Sequence, residues 1–332
     1  MEPARRACAA EANPVPAGSG TSPRRRAVID VGTNSVKLLV AEATGGDVRP
    51  LCEESRQTRL GRGFYDTRRL QPDAIARTAQ AVAEFARTAR EKNAAAIRVI
   101  ATSAARDATN AGELIAAVRR ASGLRMEIIS GEQEADWAFR GVTTNAELSE
   151  RPLLLLDVGG GSTEFILGRG AHQHFARSFP LGTVRLLEKF PHSDPPARSE
   201  LNACRDWIKG FLRDEIRPDL EPALQREDHA ARIVLVGTGG TTGLLARLEN
   251  KLEHFDRERI ERTVLSLGQV VDWRKRLWGL PLPRRKEIAG LPQSRADVIL
   301  TGVLIYEIVM TEFGFQQLRV STRGLRFAVV ME

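Results

Sequence analysis

The feature that most constrains this chain is an internal repeat. Ala27-Val-Ile-Asp-Val-Gly-Thr-Asn-Ser-Val-Lys-Leu-Leu-Val40 and Leu153-Leu-Leu-Leu-Asp-Val-Gly-Gly-Gly-Ser-Thr-Glu-Phe-Ile-Leu167 each hold two apolar runs around a short polar turn. Laid over one another, Asp30 falls on Asp157, Gly32 on Gly159 and Ser35 on Ser162, every pair 127 positions apart. Apolar runs that flank such a turn read as hairpins of buried strands. Three polar or glycine matches in register inside two hairpins predict a duplicated unit, and hence two related α/β lobes facing each other. A chain of 332 residues is long enough for both.

Other elements fall into place around the hairpins. Pro72 opens a helix through about Lys92, with Ile75, Ala79, Val82 and Phe85 at helical spacing. Ile97–Ala101 reads as a strand, and Asn110 as the cap of a helix that carries Leu114, Ile115 and Val118 and ends near Gly123. Met126–Ile129 is a further strand. Ile233–Val236 leads through Gly237-Thr-Gly-Gly-Thr-Thr-Gly243 into a helix with Leu244, Leu245 and Leu248. Ala296–Met310 reads as a helix, Gln317–Ser321 as a strand, and Gly324 as the start of a short last helix. The expected division is a disordered basic tail over 1–26, a first lobe over 27–140 and a second over 150–332, the last helix packing back on the first lobe.

Composition excludes several classes. With 42% hydrophobic and 27% charged residues, the chain is neither disordered nor a coiled coil. Cys8, Cys52 and Cys204 lie far apart with no CxxC pair, which rules out a disulfide framework or zinc ribbon and favours a reducing compartment. The longest apolar stretch, Val298 to Met310, is interrupted by Thr301, Gly302 and Glu307 and is too short to span a bilayer. The Arg-rich start lacks an apolar core, so it is not a secretory signal. A net charge of +7 favours anionic partners, namely nucleotide, polyphosphate or nucleic acid, without choosing among them.

Three glycine-rich turns with a duplicated Asp-x-Gly point to a ligand carrying several phosphates. Glycine lets the backbone come close to phosphate oxygens, and Thr33, Ser35, Ser162, Thr163, Thr241 and Thr242 add hydroxyl donors. Asp30 or Asp157, at a strand end, can hold Mg²⁺ while phosphates complete its shell. No turn has the Lys-Ser/Thr of a Walker A loop, and none precedes a Rossmann ribose acid. In Ser130-Gly-Glu-Gln-Glu-Ala135, Ser130 and Gln133 make a capping-box pattern. Glu132 and Glu134 there are either first-turn acids favoured by the helix dipole or carboxylates able to deprotonate water. His172-x-His174 lacks a third metal ligand, Arg284–Lys286 reads as a solvated loop, and Trp207, Trp273 and Trp278 read as packing residues.

These residues resemble the exopolyphosphatase / guanosine pentaphosphate phosphohydrolase family, within the actin-like and sugar-kinase superfamily. The resemblance rests on Asp30-Val-Gly-Thr-Asn-Ser35, Ala101-Thr-Ser-Ala-Ala-Arg-Asp-Ala108, Ile129-Ser-Gly-Glu-Gln-Glu-Ala135, Asp157-Val-Gly-Gly-Gly-Ser-Thr-Glu164, Gly237-Thr-Gly-Gly-Thr241 and Arg295-Ala-Asp297. It implies two ribonuclease H-like lobes with the active site in the cleft between them. It also implies that Glu134 is the catalytic carboxylate, that Arg106 contacts phosphate, and that Asp157, with Glu164 and Asp30, holds Mg²⁺ or Mn²⁺. The family's phosphate-loop positions correspond to Thr33, Asn34, Ser35, Gly160, Gly161, Ser162 and Gly239, and the glycine turns themselves add Gly159, Thr163, Gly237, Gly240 and Thr241 as expected phosphate-binding residues. Gln133 stands where many relatives have a second Glu, and Phe327-Ala328 where many have an acid and Gly. The HD-type helical domain of longer relatives is not expected here.

The expectation is a cytoplasmic hydrolase that removes the terminal phosphate of inorganic polyphosphate or the 5′-γ-phosphate of guanosine pentaphosphate. The family suggests a homodimer; no membrane or specific nucleic-acid partner is expected. A kinase of the same superfamily would need an acceptor, and a non-catalytic alarmone or nucleotide sensor would bind without turnover.

Overall fold

The computed structural model of the protein describes residues 24–44, 46–228 and 233–332. The tail expected over 1–26 lies outside them as far as residue 23. Arg24–Arg26 instead begin a strand, because they pair with Ala41–Ala43 of the next one.

The first lobe is built on β1 (Arg24–Val31), β2 (Ser35–Thr44), β3 (Asp47–Gln57), β4 (Ala96–Ala101) and β5 (Met126–Ile128), with helices α1 (Pro72–Glu91), α2 (Ser103–Asp107), α3 (Ala111–Ser122) and α4 (Gly131–Val142). The second has β6 (Leu153–Val158), β7 (Thr163–Arg169), β8 (His172–Phe179), β9 (Val234–Thr238), β10 (Val264–Ser266) and β11 (Gln317–Val320). Its longer helices include Arg198–Phe211, Gly239–Glu249, Leu267–Trp278 and Ile299–Glu312.

The sheet orders are β3-β2-β1-β4-β5 and β10-β11-β9-β6-β7-β8. Read from the hairpin outward they are one topology used twice. The first strand pairs antiparallel with the second and parallel with the fourth in both lobes, and β10 is added at the edge of the second. The duplicated hairpin thus carries a duplicated ribonuclease H-like lobe.

Strand alternation divides the apolar residues between two faces. Ile29, Val31, Leu38 and Val40 face α1 and α3, meeting Val82, Phe85, Leu114 and Val118. Leu154, Leu156 and Val158 face the helices of the second lobe. The opposite rows, Val28 and Leu39 in one lobe and Leu153, Leu155 and Ile166 in the other, share a third core. Between these inner faces lie α4 and the last helix, Leu325–Val329, through Ala135, Ala138, Phe139, Phe327 and Ala328. Strands covered on both faces account for the continuous apolar runs in the sequence.

The apolar stretch at 298–310 is the helix Ile299–Glu312, buried all round from Ile299 to Met310. Its Glu307 is held by Arg205 at 3.0 Å and Arg274 at 2.6 Å. Among the described residues, no helix is long and apolar enough to cross a membrane.

Two local expectations are corrected. Asn110 does not cap α3 with its side chain. Its amide brackets Leu70, accepting from the backbone N–H at 2.8 Å and donating to the carbonyl at 3.0 Å. Of Arg284–Lys286, read as a solvated loop, Arg284 and Lys286 are exposed, but Leu282–Arg285 is a helical turn and Arg285 is buried beside Asp194 at 3.4 Å. The three tryptophans do pack. Trp207 stacks on Phe211, while Trp273 and Trp278 donate to Glu249 and to the Leu300 carbonyl.

The interlobe core depends on one close backbone approach. A Cβ on Gly141 of α4 would run into the carbonyl of Gly324, ahead of the last helix. Gly141→Ala should therefore cost about 3 kcal/mol in chemical denaturation, the upper range for overpacking. Gly112→Ala, in α3 with nothing within 4 Å of the added methyl, should leave stability unchanged or improve it.

Candidate active site

The two hairpin turns close in the same way. Gly32 N–H donates to the Ser35 carbonyl at 3.1 Å, and Gly159 N–H to the Ser162 carbonyl at 2.9 Å. Each closing bond uses only the first N–H of its turn, so those of Thr33 and Asn34, and of Gly160 and Gly161, are not consumed by it. The turns meet tip to tip: a Cβ on Gly160 would lie 2.9 Å from Thr33 Cβ.

Alternation also decides what faces the cleft. Asp30 continues the inner row of Val28, and Asp157 that of Leu153 and Leu155; their cross-strand partners are Lys37 and Glu164. These four residues line a cleft of about 80 Å³ with Thr33, Asn34, Ser35, Gly159, Gly160, Gly161, Ser162, Gly240, Thr241 and Glu134. The four carboxylates of Asp30, Glu134, Asp157 and Glu164 are packed within one cavity.

Electrostatics follow from that crowding. Burial raises the Asp30 pKa, and Lys37 and Arg326 pull it partly back. Asp157 is raised for the same reason, with Asp30 adding to the shift. Glu164 is raised well above the ordinary range by burial and then by Glu134 and Asp157. Burial pushes Glu134 up to about 7 against the pull of Arg106.

Helix α4 separates the two candidate acids. Ser130 accepts from Gln133 N–H at 3.2 Å and sets the start of the helix. Glu132 then points to solvent, while Glu134 is 7% exposed and faces the cleft. Arg106, from α2, pairs with Glu134 at 2.9 Å and also donates to the Ile129 carbonyl at 3.2 Å.

Other sequence-predicted residues lie elsewhere. The Thr163 hydroxyl is buried and donates to the Leu181 carbonyl, so it tethers β7 rather than lining the cleft. Gly237 sits within β9, where a Cβ would press on Thr242. Gly239, with φ +86°, lies against the Asp157 carboxylate and lines an adjoining cavity that shares Asp30, Lys37, Asp157 and Arg295 with the cleft. His174 pairs with Glu227 at 3.2 Å, and among the described residues no group of three or more His, Cys, Asp or Glu is gathered to hold a metal.

Sequence reasoning missed several cleft residues. Lys37 could have been found from the repeat, since it occupies the place that Glu164 fills 127 positions later. Ser103 and Thr102 line the cleft as well. Arg295, quoted in a motif but given no role, donates to Ser35 Oγ at 2.8 Å, and burial pushes its pKa down to about 10.

The loop over 58–70 carried no periodic signal, yet it grips the second lobe. Arg59 pairs with Asp297 at 2.7 Å, and Glu188 accepts from the N–H groups of Gly63 at 2.6 Å and Tyr65 at 3.3 Å. Arg185 pairs with Asp107 at 3.0 Å while its guanidinium lies over the Tyr65 ring at 4.3 Å.

Hard carboxylate oxygens line the cleft, although among the described residues they are not gathered as three ligands around one point. Asp30 Oδ1 is buried without a hydrogen-bond partner, and the neighbouring carboxylates of Asp157 and Glu164 offer hard oxygens of the kind Mg²⁺ prefers. Asp30 Oδ1 lacks a protein partner, whereas Glu164 accepts from Ser178 Oγ at 2.7 Å, so an ion here would take waters and phosphate oxygens to fill its shell.

Comparison with known proteins finds relatives over nearly the whole chain. The sequence model of the Ppx/GppA phosphatase family matches residues 39–332. Exopolyphosphatase 2 of Mycobacterium tuberculosis is 34% identical over 315 residues, covering 91% of this chain and 96% of that protein. Exopolyphosphatase 1 of Mycobacterium leprae is 29% identical over 310 residues, covering 92% and 88%. Among solved structures, an Aquifex aeolicus Ppx/GppA enzyme is 32% identical with a TM-score of 0.74, covering 93% of this chain and 99% of its own. A Cytophaga hutchinsonii exopolyphosphatase is 27% identical with a TM-score of 0.80, covering 92% and 96%.

The buried carboxylates generate a stability prediction. A carboxyl whose folded pKa exceeds its unfolded value binds more protons when folded, so stability is lost as pH rises through that interval. For Glu134 the interval runs from 4.5 to about 7. In chelator, Tm should therefore fall between about pH 5 and pH 8. Asp30→Asn should raise Tm more at pH 8 than at lower pH, as followed by thermal unfolding.

Proposed function

The chain belongs to the Ppx/GppA phosphatase family and is a phosphoric anhydride hydrolase, and on that premise we propose that it removes the terminal phosphate of inorganic polyphosphate. The same chemistry extends to the 5′-γ-phosphate of guanosine pentaphosphate. The observation that carries the reading is Glu134: a buried carboxylate paired with Arg106, facing mirrored glycine turns across a cleft.

The backbone N–H groups of Thr33, Asn34, Gly160 and Gly161, with the hydroxyls of Ser35, Ser162 and Thr241, cradle the phosphoryl chain. Gly240 leaves the backbone open on the same wall, with nothing within 4 Å of a Cβ. Asp157, with Asp30 and Glu164, would hold Mg²⁺ or Mn²⁺, which supplies positive charge to neutralise phosphoryl oxygens when bound. Glu134 orients a water toward the terminal phosphorus and takes its proton. With its pKa near neutrality, it is basic enough to accept that proton and acidic enough to release it afterwards. Arg106 fixes the carboxylate and lends positive charge to the transferring group. Lys37 and Arg326 offset the Asp30 and Asp157 charges, so the carboxylates are held together without a ligand. A cytoplasmic homodimer completes the proposal, and light scattering tests its stoichiometry.

The test is orthophosphate release with Mg²⁺ from long-chain polyphosphate, short-chain polyphosphate and guanosine pentaphosphate. Glu134→Gln should lose about 10²- to 10⁴-fold in kcat with binding largely kept. Near wild-type turnover in that variant would remove Glu134 from the mechanism. Because the base must be ionised, wild-type kcat/KM should fall about tenfold per pH unit below about pH 7 and level off above it.

A further inference from the structure

We propose that Tyr65 and Ser103 join Thr33 in a hydroxyl subsite that hydrogen-bonds the phosphoryl oxygens of the bound substrate, an inference that rests on the hydrolase reading. Neither Tyr65 nor Ser103 belongs to a glycine turn, and they come from separate segments. Ser103 opens α2, while Tyr65 lies in the loop that the second lobe grips. Their hydroxyls nevertheless converge with that of Thr33 on a single point of the opposite lobe. A Cβ on Gly161 would strike Ser103 Oγ and lie 2.5 Å from Tyr65 Oη and 2.9 Å from Thr33 Oγ1.

Two of these hydroxyls are under-partnered. Ser103 Oγ is shut off from solvent with no hydrogen-bond partner, and Tyr65 Oη, equally shut off, has only the Thr33 hydroxyl to turn to. A buried hydroxyl left unpaired costs free energy comparable to a lost hydrogen bond, and native structures seldom keep one. Burial raises the Tyr65 pKa, which keeps the phenol protonated and able to donate. The lobes here meet directly, with hydroxyls on one side and bare glycine backbone on the other. A phosphoryl group entering between the turns must part them slightly, and it then offers the under-partnered donors the anionic acceptors they lack. Ground-state hydroxyl contacts of this kind strengthen binding of substrate and transition state alike, so they should act on KM rather than kcat.

Tyr65→Phe keeps the ring under Arg185 and removes only the oxygen; Ser103→Ala does the same on α2. Binding of tripolyphosphate is measured by calorimetry in the Glu134→Gln background, and KM and kcat with the otherwise unaltered chain. Each substitution should weaken tripolyphosphate about tenfold, the size of one hydrogen bond to a charged acceptor, and raise KM by the same factor with kcat within about twofold. Without ligand, Tm should stay level or rise, since an under-partnered buried hydroxyl has been removed. A lowered Tm with unchanged Kd and KM would assign the hydroxyls a structural role and overturn the subsite. Parental turnover with both variants indistinguishable from the parent would overturn it too, while leaving the hydrolase reading intact. Hydroxyl-dependent tripolyphosphate binding with no orthophosphate release from the wild type would uphold the subsite and sink the hydrolase.

Discussion

The rest of this structure depends on holding four carboxylates in one cleft. Asp30 and Asp157 arrive there because the same strand occurs twice, with the same parity, and the two copies face each other. Nothing in the apolar cores requires acids at those points. The inner rows of both sheets are filled by Val and Leu until the last turn of each first strand, where an Asp replaces them. Burying these charges disfavours their ionised forms, and the protein compensates with Lys37, Arg106 and Arg326 rather than with solvent. The compensation is incomplete: Glu164 has carboxylates for its nearest charges and a Ser178 hydroxyl for support. Such a site stabilises cations and positively clamped anions better than it stabilises itself.

Duplication alone does not make a catalytic cleft; the departures from symmetry do. Where the first lobe has Lys37 opposite Asp30, the second has Glu164 opposite Asp157. Lys37 thereby partly neutralises both aspartates, while Glu164 adds a further carboxylate to the second lobe's side of the cleft. The third strands diverge as well. After β3 the chain makes the long loop that reaches the second lobe through Glu188, whereas after β8 it turns at once into the helix Thr183–Lys189 that presents Glu188 and Arg185. The two copies therefore supply complementary halves of one clasp.

Much of this was legible in the chain because strand geometry is strict. A residue at a given place in a hairpin must face a given side, so the constant offset between Asp30 and Asp157 is enough to predict that they confront each other. The glycine turns were legible for the same reason. The choice between Glu132 and Glu134 was not. Both are acids in a helical first turn, and only their angular position relative to the core, which depends on where Ser130 starts the helix, sends one to solvent and the other inward. Family resemblance supplied that choice. Lys37 escaped because the repeat was matched on identities, and a Lys facing a Glu in the other copy looks like a mismatch. Arg285 escaped because a run of three basic residues resembles a solvated surface, while a helical turn of four residues was enough to fold its middle member inward.

One helix ties the fold to the chemistry. The apolar face of α4 fills the space between the sheets through Ala135, Ala138 and Phe139, so its axis is fixed by both lobes together. Its first turn carries Glu134, one residue before that apolar face begins. Any shift of one lobe against the other must move α4, the last helix or both, because Gly141 and Gly324 touch backbone to backbone with no side chain to yield. The position of the Glu134 carboxylate is therefore coupled to the angle between the lobes. The same angle sets how far the Thr33 and Gly160–Gly161 turns stand apart. The spacing of the turns and the placement of that carboxylate are thus set by the same packing of one lobe on the other.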